Sequence, residues 1–408
     1  MVESLERGRT RVRGFDDAEM DFQLMRQLGS TRYGGASVGE ALALAARIAD
    51  ADPAAWVEAF SAAGRRQQAD AAVRAARGHR ISARDQYLLA SNSFRAAEYY
   101  APISNLQHRE LGLASRHAFL ASMACTDIAC EQWWFSLDGL RLPAYYLHRA
   151  DNTGERVLMI LSGYDGTLEE SWIVYGTAAM ERGWDVVLFT GPGQMDTWRF
   201  NGQSHFRPDF EVVGRMVVDR IRSLPGHESV RPALMGISFG GYFSVRIAVH
   251  EPRLGALIPN SPIPDLHAYM TSFIGLDPAD LPDEEDFGPD DLPHIPEAVM
   301  DAQKRAMAGN LMLRFGRSRF SDTYRFLREF SVGDADLARI RCPCLALVGE
   351  GEGANPLAQS RRFVEKVGGP ASQFIFTAEQ GADGHCQSAN PAFSAAVSMD
   401  WLDEVLPA

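Results

Sequence analysis

From residue 156 onward the sequence alternates short, almost wholly apolar runs with amphipathic stretches, and this alternation narrows the fold more than any other feature. RVLMILSG (156–163), WDVVLFTG (184–191), RPALMGIS (231–238), LGALIPNSP (254–262), PCLALVGEGE (343–352) and SQFIFTAE (372–379) read as strands. Between them SWIVYGTAAMERG, DFEVVGRMVVDRIRSLPG and FGGYFSVRIAVHEP read as helices. A strand that is apolar at successive positions is buried on both faces. The pattern therefore predicts an α/β chain, a doubly wound and mostly parallel sheet with helices on both sides. Just upstream, QWWFSLDGLRLPAYYLHR reads as a hairpin with Asp138-Gly139 at its turn.

Residues 17–122 show no strand pattern and read as helices of unequal length. One spans Ser37 to Ala51. Asp52-Pro53 then caps and starts a second, which stops at Gly78. Ser82 to Asp85 opens a third as a weak capping box, and it runs to Tyr100 before Pro102. A fourth runs from about Asn105 to Met123. Between Pro262 and Ile340 the alternation breaks around the acidic, proline-rich LPDEEDFGPDDLPHIP. An insertion of that length between core strands usually covers the ligand side. The expected division is a helical N-terminal cap segment (1–122), a first core part (123–261), a lid insertion (262–340) and a second core part (341–408).

Composition removes several function classes. A net charge of −13 with no basic stripe speaks against nucleic acid or an anionic membrane surface as partner, and solubility accounts for the acidity. No run of 18 apolar residues is present, so no membrane span is expected. The opening MVESLERGRTRVRGFDD has no apolar stretch of the kind a signal peptide needs. Five cysteines (Cys125, Cys130, Cys342, Cys344 and Cys386) are too few and odd in number for a disulfide framework. Cys342-Pro-Cys344 lacks a second pair at metal spacing. No metal and a reducing, cytoplasmic location are expected. FTGPGQ lacks the spacing of a phosphate-binding loop, so no nucleotide or flavin cofactor is expected either.

Gly236-Ile237-Ser238-Phe239-Gly240 matches G-x-S-x-G between a strand and a helix. Such a turn lifts the serine hydroxyl above the sheet, and side chains two residues either side would collide there. It also puts the Phe239 N–H at a helix N-terminus, facing a developing oxyanion. Serine needs a base to take its proton. His385, in the loop GADGHCQ after the last strand, is the candidate, because strand ends carry such residues beside the nucleophile. His79, His108, His148, His227 and His250 have ordinary helix-edge, strand-end or turn readings. Glu352, in the loop after PCLALVG, is the preferred acid, with Asp265 and Glu350 as alternatives. The Tyr164 N–H, in the loop after LMILSG, is the candidate second oxyanion donor, because Gly163 allows the backbone to turn toward Ser238; a plain strand–helix turn is the alternative. Trp172, Trp198, His267 and Tyr269 are candidate substrate-binding residues near the expected mouth; packing of cap on core accounts for them equally well.

SGYDGTLEE, FTGPGQ, GISFGGY, ALVGEGE and GADGHCQ occur in this order. Together they resemble the alpha/beta-hydrolase branch related to the fermentation–respiration switch esterase. That branch also holds 2,6-dihydroxypseudooxynicotine hydrolase and the fungal hydrolase that shortens a heptaketide. HRISARDQYLLASNSFRAAEYY resembles the branch's helical segment. The resemblance implies a triad of Ser238, Glu352 and His385, oxyanion donors at Tyr164 and Phe239, an active site between cap and core, and a homodimer. It implies cleavage of an ester, or of a carbon–carbon bond beside a ketone, in an aromatic or polyketide-like small molecule. Glu in place of the more usual Asp is a departure from the hydrolase pattern. Two other outcomes fit the same motifs: an acyl-enzyme that cyclises or transfers its acyl group, and a non-catalytic binding protein on the same fold.

Overall fold

Strands β1 (Ala129–Leu137) and β2 (Leu140–His148) form the hairpin. Asp138 and Gly139 both take left-handed φ, 50° and 82°, as a two-residue turn of this hand requires. Six further strands follow: β3 (Val157–Leu161), β4 (Asp185–Phe189), β5 (Ala233–Ile237), β6 (Ala256–Asn260), β7 (Cys344–Gly349) and β8 (Ala371–Phe376). They make one eight-stranded sheet in the order β1-β2-β4-β3-β5-β6-β7-β8, antiparallel through β4 and parallel beyond it. These coordinates are a computed structural model, and they describe residues 8–150, 154–274 and 277–407. Residues 1–7, read above as part of an opening without a leader, lie outside the described residues.

Every residue of β3 is buried, and alternate residues feed different cores. Val157, Met159 and Leu161 join Phe210, Val217 and Phe243 on one face, while Leu158 and Ile160 join Trp184, Met399 and Leu402 on the other. That division is the pleat of a strand covered on both sides.

Helices α1 (Ala18–Gly29), α2 (Val38–Ala45), α3 (Pro53–Ala76), α4 (Arg80–Tyr100) and α5 (Leu106–Met123) have a core of their own around Trp56, Phe60 and Phe94. Asp52 caps α3 by accepting from the Ala55 N–H, as its sequence predicts. Two helix boundaries differ from the expectation. α2 ends at Ala45, and α4 begins at Arg80 rather than at the Ser82 capping box. Ser82 lies inside the helix, whose first turn carries no acidic residue and whose cap residue, His79, makes no side-chain bond.

Within the core, α6 (Leu168–Ser171) and α7 (Thr177–Glu181) flank a wider turn at Trp172–Gly176. α8 (Met195–Asn201) follows the FTGPGQ loop. α9 (Glu211–Arg222) and α10 (Gly240–His250) cover the sheet. The 262–340 region holds α11 (Leu266–Thr271), α12 (Ala302–Phe315), α13 (Phe320–Leu327) and α14 (Asp334–Leu337). α15 (Ala354–Lys366) and α16 (Pro391–Val405) complete the chain. Among the described residues no helix is long and apolar enough to cross a membrane.

One buried ionic group joins the N-terminal helices to the core. Arg199 on α8 bonds Glu98 of α4 at 2.9 and 2.6 Å, Glu169 of α6 at 3.0 Å and Asp196 at 2.7 Å. All four side chains are essentially without solvent exposure. Three carboxylates share one guanidinium. Burial, with the nearby charges of Glu169 and Glu98, pushes Asp196 up to about 7 against the pull of Arg199. Removing the cation leaves the acids unpaired in a dry site. Arg199→Met should therefore cost about 3–5 kcal/mol of stability, read as a lowered midpoint in urea unfolding. A midpoint equal to that of the wild type would refute the clamp.

Candidate active site

Strand β5 runs into α10 through Ser238, which sits at φ 61°, a left-handed conformation that side chains rarely adopt. The packing around it shows why the neighbours are glycine. A Cβ on Gly236 would lie 2.0 Å from the Gly240 carbonyl, and one on Gly241 would lie 1.8 Å from the Ser261 carbonyl. Gly163 brings its loop onto the nucleophile turn; a Cβ there would meet the Phe239 nitrogen at 2.5 Å and Ser238 Cβ at 2.7 Å. Phe239 is the N-cap of α10. The loops of the two expected oxyanion donors, Tyr164 and Phe239, thus touch beside Ser238, and their rings meet edge to face at 5.2 Å.

Ser238, His385 and Glu352 form one hydrogen-bonded chain. His385 Nε2 lies 2.9 Å from Ser238 Oγ, and His385 Nδ1 lies 2.8 Å from Glu352 Oε2. Glu352 is buried, and its other oxygen accepts from the Gly349 N–H at 2.8 Å. It ends a short 3-10 turn over Glu350–Glu352 that folds tightly on the His385 loop. A Cβ on Gly349 would sit 2.1 Å from the Asp383 carbonyl.

The alternative acids are engaged elsewhere. Glu350 accepts from the Ala378 N–H at 2.9 Å, and Asp265 caps α11 by accepting from the Ala268 N–H at 2.9 Å. Asp383 holds the N-terminal segment, accepting from the Arg9 N–H and the Thr10 hydroxyl at 2.5 Å each.

A small cleft, partly open to solvent, leads to Ser238 and His385. One wall is α1, through Phe22, Arg26 and Ser30; the others are the 162–174 segment, Cys386 and Pro391. None of the four expected substrate-binding residues is among those that line it. Trp172 is buried against Phe119 in the core, because the wider turn faces it inward. Trp198 is buried on α8 beside His205. His267 pairs with Asp277 at 3.0 Å, and Tyr269 packs edge-on against Phe273. The mouth is formed by α1, not by these aromatics.

Residues that sequence reasoning missed make the cleft's polar wall. Arg26 bonds Glu170 through two nitrogens and Asp165 at 2.9 Å, with Arg95 3.6 Å from Glu170. Burial opposes the charge of Glu170, but Arg26 and Arg95 outweigh it and hold the carboxyl below its ordinary range. Two cations balance two anions here, so the wall offers hydrogen bonds without net charge. Arg26 lies 144 residues from Glu170, and no local pattern links them. Cys386 was readable only as the neighbour of His385. Its sulfur lies 3.5 Å from His385 Nε2 and donates to the Asn260 carbonyl at 3.3 Å. Among the described residues no group of three or more His, Cys, Asp or Glu side chains is gathered for a metal ion.

Burial works against a charged His385, yet Cys386 and Glu352 outweigh it and push the imidazole up from 6.5 to about 10. A raised value means the folded state holds the proton more tightly. The stability His385 contributes is then fully present below about pH 6.5 and lost as the pH rises toward 10. Cys386→Ser should lower the His385 midpoint in an NMR titration; an unmoved midpoint would remove the sulfur from this account.

The chain has relatives of known name over most of its length. It is 30% identical over 362 residues to Hydrolyase poxO of Penicillium oxalicum, covering 82% of this chain and 83% of that one. It is 34% identical over 250 residues to 20-hydroxy-prefusarin hydrolase FUS2 of Gibberella moniliformis, covering 58% of this chain and 59% of the relative. The solved structure of 2,6-dihydroxy-pseudo-oxynicotine hydrolase superposes with a TM-score of 0.71 at 18% identity, covering 93% of this chain and 95% of that chain. No family model matches the sequence.

Proposed function

The chain belongs to the alpha/beta-hydrolase family of enzymes, and from that premise we propose that it is a serine hydrolase working through an acyl-enzyme on Ser238. The observation that carries the proposal is the Glu352–His385–Ser238 chain, bonded at 2.8 and 2.9 Å at the foot of a partly open cleft. His385 Nε2 takes the Ser238 proton as Oγ attacks a carbonyl carbon. Glu352 fixes the ring through Nδ1 and stabilises the imidazolium. The oxyanion meets the Tyr164 and Phe239 N–H groups. The proton on Nε2 then goes to the leaving group, an alkoxide oxygen for an ester or an enolate carbon for a β-diketone. Water, deprotonated by His385, releases the acid and restores Ser238.

The substrate in this proposal is a hydroxylated, aromatic or polyketide-like small molecule, cut at an ester or beside a ketone. Phe22, Val174, Ile237 and Pro391 offer it apolar surface, and Arg26, Glu170 and Asp165, balanced in charge by the neighbouring Arg95, offer it donors and acceptors. The relative FUS2 carries a hydroxylated small molecule in its name. Five free cysteines suit a reducing, cytoplasmic setting. Following the resemblance, the enzyme works as a homodimer.

A fluorophosphonate probe should add one adduct to the wild type and none to Ser238→Ala, read by intact mass. Glu352→Gln, which spoils the tautomer of His385, should lower kcat on an aryl ester by about 10³–10⁴-fold. kcat/KM should rise with pH as the imidazolium loses its proton, with a midpoint above the ordinary 6.5. An unlabelled wild type that also turns over no small ester would overturn the serine-hydrolase reading.

A further inference from the structure

Tyr164 is gripped by one helix at both ends. α12 carries Asn310 and Arg314 one turn apart on a single face. The Tyr164 hydroxyl donates to Asn310 Oδ1 at 3.3 Å, and the Tyr164 carbonyl accepts from Arg314 Nη2. Between these ends the Arg314 guanidinium lies over the Tyr164 ring, 3.9 Å from its centroid.

The two preceding carbonyls are held as well. Gln194 Nε2 donates to the Ser162 carbonyl at 2.6 Å and to the Gly163 carbonyl at 3.2 Å. The Gln194 amide cannot turn over without loss, because its oxygen accepts from the Gly191 N–H at 2.7 Å and the Thr190 hydroxyl at 3.2 Å. Arg314 is tied to the same FTGPGQ loop through the Gly193 carbonyl, 3.0 Å from Nε and 2.5 Å from Nη2. Three consecutive carbonyls, from 162 to 164, are thus each fixed by a buried side chain.

Peptide geometry turns this clamp into a statement about the active site. The Gly163 carbonyl and the Tyr164 N–H belong to one planar, trans peptide, so they point in opposite directions. Holding that carbonyl on Gln194 aims the N–H away from Gln194. Arg314 has a second property. It is completely buried, its hydrogen bonds go to carbonyl oxygens rather than to a carboxylate, and its Nη1 has no hydrogen-bond partner. Its charge is therefore not cancelled by a bonded anion.

We infer that Gln194 and Arg314 are positioning residues for the oxyanion: they hold the 162–164 loop so that the Tyr164 N–H meets the developing charge, and Arg314 adds positive potential beside it. The inference rests on the serine-hydrolase reading and goes further, because it makes competence of the core depend on a side chain from the 262–340 region.

The test compares Gln194→Leu, Arg314→Met and Arg314→Lys with wild type. The readouts are the rate of fluorophosphonate labelling, kcat and KM on an aryl ester, and the thermal midpoint. Q194L and R314M should label and turn over about tenfold or more slowly, since small misplacement of a reacting group is costly. KM should change by less than about twofold, because the contacts act on the transition state and not on bound substrate. R314K, which keeps the charge, should recover part of the loss. A merely structural role would lower the thermal midpoint without separating kcat from KM. Should R314M fail to fold, Q194L and R314K carry the same comparison. Wild-type labelling rates in Q194L and R314K would overturn the inference while leaving Ser238 as nucleophile. Absence of labelling in the wild type would instead strike the serine-hydrolase reading itself.

Discussion

Around Ser238 separate pieces of backbone approach more closely than side chains permit. The Gly240 carbonyl crowds Gly236, the Ser261 carbonyl crowds Gly241, and Gly163 abuts the Phe239 nitrogen. The Ser238 N–H is tied to the Asn260 carbonyl at 2.6 Å, and the serine itself is held at left-handed φ. A conformation of that kind costs about 1–3 kcal/mol and persists only where its surroundings enforce it. The enforcement comes from the sheet. β3, β5 and β6 are adjacent parallel strands, so the turns leaving their ends meet at one place. The 162–164 loop, the Ser238 turn and Asn260 are therefore neighbours because the strands are.

The other half of the chemistry is brought from the far side of the same edge. β7 ends in the glycine-rich turn carrying Glu352, and β8 leads to the His385 loop. The two loops are packed onto each other, with the Gly351 N–H bonded to the Asp383 carbonyl at 3.0 Å. Backbone contact between the loops sets the separation of acid and base.

Charge buried away from the reacting atoms organises the cleft. Arg199 fastens the N-terminal helices to α6 and α8, and Arg26 fastens α1 to Asp165 and to Glu170 of α6. Such groups contribute little net stability once desolvation is counted, but they are costly to break singly. Their geometry is directional, and here it fixes the angle at which a helical segment faces the core. The polar wall of the cleft is a consequence of that docking.

Local sequence signals dictated the elements and pointed to the candidate site. Apolar strands alternating with helices dictated a parallel sheet, Asp138-Gly139 dictated the hairpin, and Ser238, Glu352 and His385 were legible because strand-end loops announce themselves through glycine and polarity. Each of those signals is local, carried by residues within a few positions of one another. What lies around the reacting atoms was not legible in this way. Trp172, Trp198, His267 and Tyr269 were sought at the mouth on the strength of aromatic character, and the structure turns them into packing and ion pairs. Arg26, Gln194 and Arg314 carry no local mark, since their partners lie 144, 31 or 32, and 150 residues away. Hydrogen-bond periodicity and turn chemistry act over one or two turns of chain. Which walls close a cleft is decided only when distant segments pack, and here that docking was the work of the tertiary structure alone.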